Sequence, residues 1–407
     1  MTKRTVEIAG AGLSGLALSI RLAQLGWRVR LHERNSDLRM FGAGIWLWEN
    51  GLKSLAILGA YEDTTRRAKV MREWRICDGI GRRLMTRPMS GNDRMLVPPR
   101  ADLYQALIDR AVAQGVDIVT SSVVVSARPE GVLVLENGTE IKADLVVGAD
   151  GAYSRIRESI LATRWMDHGV EAGIRMMIDH APGDPEDHAT EYWNGAYRIL
   201  HNPCTSGETY IFLGAPISDK RSRVLPVDRA LWTEKFPAAA DLIARFTEAG
   251  RWDRVVNVRC RHWSEGHVAL IGDGAHAMPP NLGQAANMAF IFAMALAMAV
   301  TRATDIPQAL AEWEQQARPL TEHVQWWSYI YGYIVAEWPA ALAPLRSDLV
   351  RGMAQTEWFE EGLNRGSRAV PVGYAELPEA ERTAYERAGA IAYARPGELA
   401  GEAPART

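Results

Sequence analysis

The chain has 407 residues, 47% of them apolar, and a formal net charge of −3. That length is generous for one core and sufficient for two domains with substantial apolar interiors. Acids and bases are spread along the chain without a basic block, which argues against a nucleic-acid partner, and the three cysteines, Cys77, Cys204 and Cys260, lie too far apart for a metal site or a disulfide framework. A reducing, cytoplasmic setting is expected.

Thr5–Ala9 reads as a short buried strand, and GAGLSG follows it. A helical pattern then runs over 13–25 and stops at Gly26. Arg28–His32 reads as a second strand, ending at Glu33. The basic, apolar start could pass for a signal peptide, but Glu7 and the glycines speak against that. Gly10, Gly12 and Gly15 form G-x-G-x-x-G in a βαβ setting. Gly10 permits a tight turn, Gly12 lets a pyrophosphate approach the backbone, and Gly15 lets helix and strand pack closely. Unpaired N–H groups at the helix N-terminus would meet the phosphates. Glu33 stands near the usual ~20-residue offset of a ribose-binding acid. At this point NAD and FAD remain equally open.

Further along, 101–114 is an amphipathic helix pattern stopped by Gly115. Runs at 116–120, 123–125, 132–135 and 143–147 read as strands, the last leading into GADG. Between about 173 and 258 short strand-like runs are separated by Pro, Gly and Asp, the texture of an inserted sheet. The strand HVALI (267–271) leads into GDGAHAMPPNLGQAAN (272–287), then an apolar run over 288–300. That run is short of the ~20 residues a membrane span needs, so it reads as a buried helix. Helices dominate to about 349. The tail from Arg365, rich in Ala, Glu, Arg, Pro and Gly, is expected to pack loosely or fray. No internal repeat is visible.

GADGAYSRIRES (148–159), with Asp150, Gly151, Arg155 and Arg157, and GDGAHAMPPNLGQAAN both follow strands. Together with GAGLSG, in this order, they resemble the three signatures of the class A flavin-dependent aromatic hydroxylases over most of residues 1–330. The resemblance implies non-covalent FAD rather than NAD. It implies an α/β fold with a Rossmann-like (GR2-type) FAD-binding domain from 1–72, 98–172 and 259–330. An inserted mixed β-sheet substrate domain would come from 73–97 and 173–258, and a C-terminal helical segment from 331–407. Implied cofactor contacts are Gly10, Gly12, Leu13, Ser14, Gly15, Glu33, Arg34, Arg39, Arg100, Asp273, Pro280, Leu282, Gly283, Gln284 and Ala285. Asp273 would bond the ribityl chain. The helix starting at 282–285 would aim its N–H groups at the N1/C2=O edge, where reduced flavin is anionic. The chain departs from the family at Ala285, where a glycine is usual, and at Ile291 and Phe292, which replace an acid pair. His276 is expected to pack rather than act as a base.

Within this family, ERNSDLRMFGAGIWLWENGL, RILHNPC and LPVDRALWTEKFP are similar to the branch of 2-methyl-3-hydroxypyridine-5-carboxylate oxygenase, which hydroxylates and opens a pyridine ring. The resemblance places Trp46, Trp74, Arg175, Trp193, Arg198 and Tyr210 around the substrate. Trp46 replaces a pocket tyrosine. Arg175 and Arg198 would hold a carboxylate or phenolate, or each pair with a local acid. The implied enzyme is a single-component monooxygenase. NADH or NADPH reduces its flavin, O2 adds to give a C4a-hydroperoxide, and an electron-rich aromatic or N-heteroaromatic ring is hydroxylated. No catalytic side chain and no metal ligand is assigned. A tailoring hydroxylase of phenolic natural products and a non-oxygenating flavin-binding protein are the alternatives. The expected partners are a small aromatic substrate and O2, with no membrane, in a monomer or homodimer.

Overall fold

The computed structural model describes residues 3–38 and 43–394. A six-stranded sheet runs in the order Ser264–Glu265, Val268–Leu270, Leu145–Gly148, Thr5–Ala9, Arg28–His32, Asp117–Val119, parallel except for the first hairpin. Its central strands are apolar on both faces, as a parallel sheet covered on both sides requires. Val6, Ile8, Leu145, Val146 and Val147 are fully buried. Glu7 is the exception, and its carboxylate meets His32 Nε2 at 2.7 Å while His32 Nδ1 meets Ser122 Oγ at 2.8 Å. The charge is therefore buried with a partner rather than alone.

Helices Leu13–Gln24 and Ala285–Arg302 pack on each other against this sheet. The second carries alanines at 285, 289, 293 and 297, an i, i+4 row that lets another helix approach closely. It has the length and apolarity of a membrane span, yet most of it is buried in the core of this domain. A three-stranded antiparallel meander, Val124–Arg128, Val132–Leu135 and Glu140–Lys142, contributes Ala127 and Leu133 to the same core.

A second sheet has seven strands in the order Gly250–Arg254, Glu171–Asp179, Glu208–Pro216, Tyr197–Pro203, His188–Asn194, Glu73–Asp78, Arg83–Pro88. It is mixed, because His188–Asn194 and Glu73–Asp78 run parallel while the other pairs are antiparallel. Side chains alternate faces along each strand. Ile211 and Leu213 pack with Ile174, Met176 and Ile199 against Trp232, Phe236 and Phe246. Tyr210 and Phe212 instead join a tryptophan-rich cluster with Trp46, Trp48, Trp74 and Trp193. The register sets Arg175 opposite Phe212 and Trp193 opposite Arg198.

The C-terminal part corrects one expectation. The tail does not pack loosely through its described length. Helix Glu379–Tyr393 is docked by buried polar contacts. Tyr385 OH donates to Glu49 Oε1 at 3.0 Å, Arg94 forks onto Glu49 at 2.7 and 3.0 Å, and the Arg94 guanidinium lies 3.9 Å from the Tyr385 ring centre. Arg72 donates to the carbonyls of Ala392, Tyr393 and Ala394, satisfying the last turn. Composition hid this because two tyrosines do the anchoring in an otherwise polar segment.

Candidate active site

A cleft of about 610 Å³ runs between the two sheets, within the roughly 300–1,000 Å³ of ordinary ligand pockets. At one end, strand Thr5–Ala9 turns at Gly10 with φ +101°, and a Cβ there would stand 2.4 Å from the Ala149 oxygen. A Cβ on Gly15 would stand 2.0 Å from the Gly10 oxygen, so the first helix lies directly on the turn. Gly12, at the N-cap, supplies no side chain to the first turn, and Gly12, Leu13 and Ser14 face the cleft. Those helix N–H groups thus offer partial positive charge to an anion. Glu33 is held at the end of its strand by the Ala11 N–H (3.1 Å) and the Asn35 N–H (2.9 Å). Arg34 is exposed, and Arg39 lies outside the described residues.

The second and third motifs are stapled together by a residue whose role was not legible beforehand. Arg157, buried, donates to the carbonyls of Gly274 (3.0 Å) and Ala152 (2.7 Å) and to Thr163 Oγ1 (3.0 Å). Asp150 accepts from Ser154 Oγ and from the Arg155 N–H, starting the helix that carries Arg157. Asp273 lines the cleft and is exposed to it. Desolvation by the surrounding protein pushes its carboxyl pKa up, and Arg100 opposes the shift. Arg100 also faces the cleft, and burial followed by the nearby Arg175 lowers its pKa.

At the far end, Pro280–Leu282 forms a turn, Gly283 takes φ +61°, and helix Ala285–Arg302 begins without a side-chain cap. Pro280, Gly283 and Ala285 line the cleft, so a second helix N-terminus opens into it. Asn287 holds this geometry: its Oδ1 accepts from Trp48 N at 3.0 Å and its Nδ2 donates to the oxygens of Trp46 (3.0 Å) and Gly283 (2.9 Å). A Cβ on Gly283 would come 2.7 Å from the Trp46 ring. The side chains of Leu282 and Gln284 are not in the cleft lining: Leu282 is buried with Trp48 bonded to its carbonyl, and Gln284 Nε2 donates to the Leu363 oxygen. Ile291 and Phe292, where the family carries acids, are core residues. Gln325 and Ser328 on helix Ile306–Ala336 hold the loop through the Ala277 and Pro279 oxygens, and Tyr331 on the same helix donates to Glu191 of the second sheet.

Four expected substrate residues face the cleft: Trp46, Arg175, Arg198 and Tyr210. Trp46 Nε1 donates to Asn202 Oδ1 at 3.1 Å. Arg175 pairs with Asp253 at 2.9 Å and lies near Tyr210. Arg198 is different. It forks onto Glu171 with two 2.7 Å bonds, reaches Glu191 at 3.0 Å, and donates to Asn281. Four of its five N–H donors are spent inside the protein, so it forms a wall rather than a hand for an anionic ligand. Burial works against the Arg198 charge, but the two carboxylates hold its pKa above the usual value. Burial pushes Glu171 up, with Arg198 opposing.

Trp74 and Trp193 do not line the cleft, a correction with a packing cause. Trp74 is buried edge-on against Trp46 at 5.2 Å, and Trp193 lies edge-on to Tyr331 at 5.4 Å with its Nε1 on Glu191. They back the pocket wall instead of forming it.

His276 is buried against Trp263 and Phe292, away from the cleft. Burial lowers its pKa from 6.5 to about 4, and burial does the same to His201. The unfolded chain takes up these protons below pH ~6.5 and the folded chain does not, so stability is complete above that pH and falls toward pH 4. Between pH 7 and 5 the share of each imidazole is about 2 kcal/mol. His276→Phe keeps the ring packing and is expected to lose that much less stability than the parent over this range, read from urea midpoints. Equal losses would refute the assignment.

The cleft thus offers two uncapped helix ends and glycines where the backbone must come close, and Glu33 is fixed on the Ala11 N–H, next to the cleft-lining Gly12. That set fits FAD. The FAD binding domain family matches residues 3–327. The chain is 37% identical over 338 residues to the probable 2-heptyl-3-hydroxy-4(1H)-quinolone synthase AqdB2 of Rhodococcus erythropolis, covering 81% of this chain and 88% of that one. It is 35% identical over 337 residues to the 2-heptyl-3-hydroxy-4(1H)-quinolone synthase of Mycobacteroides abscessus, covering 81% and 90%. The solved tetrameric form of 2-methyl-3-hydroxypyridine-5-carboxylic acid oxygenase superposes with a TM-score of 0.80 at 33% identity, covering 91% and 98%. The chain belongs to the FAD binding domain family, and it is a flavin-dependent aromatic monooxygenase.

Proposed function

We propose that this enzyme consumes NADH or NADPH and O2 to hydroxylate a planar N-heteroaromatic ring bearing a hydroxyl or keto oxygen, of the hydroxypyridine or quinolone class. The observation that carries the reading is the shape of the substrate end. Trp46, Leu200 and Phe212 offer flat apolar walls, while Arg175 and Tyr210 offer polar hydrogens at one edge. A ring oxygen made electron-rich by the heteroatom meets that edge, and the ring lies against the tryptophan. The similarity to quinolone synthases and to a hydroxypyridine oxygenase supports the same ring class.

In this reading residues 1–72, 98–172 and 259–330 hold the cofactor, and 73–97 with 173–258 hold the substrate. Gly10, Gly12, Leu13, Ser14 and Gly15 receive the pyrophosphate, Glu33 the ribose, and Arg100 and Asp273 the middle of the cofactor. Pro280, Gly283 and Ala285 flank its ring. Bound FAD supplies the electron storage and oxygen activation. The chain's part is to place the ring, to set a positive helix end beside the cofactor, and to keep the pocket dry with Trp46, Trp48 and Trp74. The buried, unpaired thiols fit a cytoplasmic enzyme.

Stopped-flow reduction by NADH and NADPH, measured with and without hydroxypyridines, quinolones and hydroxybenzoates, tests the reading. An N-heteroaromatic is expected to speed flavin reduction and to yield hydroxylated product in step with NAD(P)H consumed. Mass analysis of that product separates simple hydroxylation from hydroxylation with ring opening. Hydrogen peroxide alone with every N-heteroaromatic would overturn the ring assignment.

A further inference from the structure

Trp46 stands just before helix Glu49–Leu58, which packs on helix Ala285–Arg302, and its side chain lines the cleft. Its indole N–H donates to Asn202 Oδ1 at 3.1 Å, and Asn202 belongs to strand Tyr197–Pro203 of the seven-stranded sheet. The bond therefore joins the two sides of the cleft. Arg198, Leu200 and Asn202 share one face of that strand. Arg198 and Leu200 line the cleft, whereas Asn202 is fully buried. The Asn202 amide has one way to sit. An indole N–H donates and cannot accept, so the amide oxygen must meet it, and the amide NH2 is then turned toward the Tyr210 carbonyl, 3.5 Å away.

The remaining contacts confine the Trp46 ring. Trp74 and Trp48 stand edge-on to it at 5.2 and 5.6 Å. Gly283, at the turn into helix Ala285–Arg302, lies so close that a Cβ there would stand 2.7 Å from the ring. A Cβ on Gly44 would stand 2.6 Å from the Tyr210 side chain, so this segment is pressed on the sheet as well. Edge-on aromatic packing accepts a range of tilts, whereas a hydrogen bond is directional. The bond to Asn202 thus selects one plane for a ring that packing alone only encloses.

We infer that Asn202 is a positioning residue for the hydroxylation. Through Trp46 it sets the plane against which the substrate ring lies, and with it the approach of that ring to the cofactor edge flanked by Gly283. The inference rests on the ring class and the ring-wall role of Trp46 proposed above. It adds a residue that touches neither substrate nor cofactor. A displaced wall misaligns the reacting atoms and admits water, which sends reducing equivalents to hydrogen peroxide instead of product.

The test uses the FAD-loaded enzyme with 3-hydroxypyridine and 4-quinolone as probes, and reads product formed per NAD(P)H consumed. Asn202→Leu removes the acceptor and leaves the indole N–H buried alone. It is expected to lower that ratio by about threefold or more, with peroxide making up the difference, and to raise KM. A purely structural role would lower Tm and flavin content but leave the ratio of the remaining holoenzyme at the parental value, and that result overturns the inference. Asn202→Ala is the second variant, and one that folds suffices. Trp46→Phe keeps a flat wall without the N–H, so adding Asn202→Leu to it should change the ratio by less than about twofold. Equal losses with Trp46 and with Phe at this position would show that Asn202 does not act through the indole, and would also overturn the inference. Substrate Kd, read from the shift in flavin absorbance, makes the same comparison where Trp46→Phe forms no product. Parental hydroxylation with an unaffected Asn202→Leu removes this inference and leaves the ring assignment standing. No product from the parent with either probe or any other hydroxypyridine or quinolone removes both.

Discussion

Replacing Arg198 by alanine is expected to destabilise the chain by about 3–5 kcal/mol, because it leaves Glu171 and Glu191 buried without their cation. Folded domains are commonly stable by only about 5–15 kcal/mol, so the variant should lose much of its margin. The loss should appear as a large drop in Tm of the FAD-loaded protein. The loop at Asn281 should loosen as well, because Arg198 is its link to the second sheet. The contrasting outcome is informative. An arginine that held substrate would, on removal, raise KM and leave Tm nearly unchanged. That pattern would restore Arg198 to the substrate-binding role its sequence context implied and would refute the structural one. Tyr331→Phe, which removes one donor from Glu191, should give a smaller loss of about 1–2 kcal/mol in the same direction.

Gly15→Val is expected to yield protein without flavin colour. Its Cβ alone would sit 2.0 Å from a backbone oxygen of Gly10, where no side-chain rotation relieves the contact. The first helix must move off the strand, at a cost of about 3 kcal/mol or more for overpacking. The N–H groups that face the cleft move with it. Gly12→Ala is the control, because a Cβ at Gly12 meets nothing within 4 Å. That variant should fold with parental far-UV dichroism and bind FAD more weakly, since the added methyl projects where a phosphate would approach. Parental flavin content in Gly15→Val would show that the helix does not need this contact.

The two substitutions mark the boundary between what could be read from the residues in order and what could not. Glycine spacing is a local property. A turn with φ +101° at Gly10 and a helix pressed on its oxygen need glycines at fixed short offsets, so GAGLSG was legible before any fold was known. The same is true of the strand and helix periods around it. The departures at Ile291 and Phe292 were also visible in order, and their burial shows why apolar residues serve there.

The substrate end was less legible, because its contents depend on strand register. Arg198 and Glu171 sit on strands separated by a third, Glu208–Pro216, and no local pattern pairs them. Trp46, Trp74 and Trp193 are alike as sequence, yet only Trp46 reaches the cleft, because the others are turned into the wall by neighbours distant in the chain. Arg157 and Asn287 passed as ordinary motif residues, although each bonds two segments that carry the site. The tail looked loose by composition and is held by Tyr385 and Tyr393 on partners about 300 residues away. By itself, then, the order of residues determined the backbone turns and the element types, since these follow from short-range sterics and periodicity, and the cofactor class came from the resemblance of its three motifs to a flavoenzyme family. Which polar side chains meet a ligand and which are consumed by one another was decided only by tertiary packing, because burial makes every charge take the nearest partner the fold brings to it.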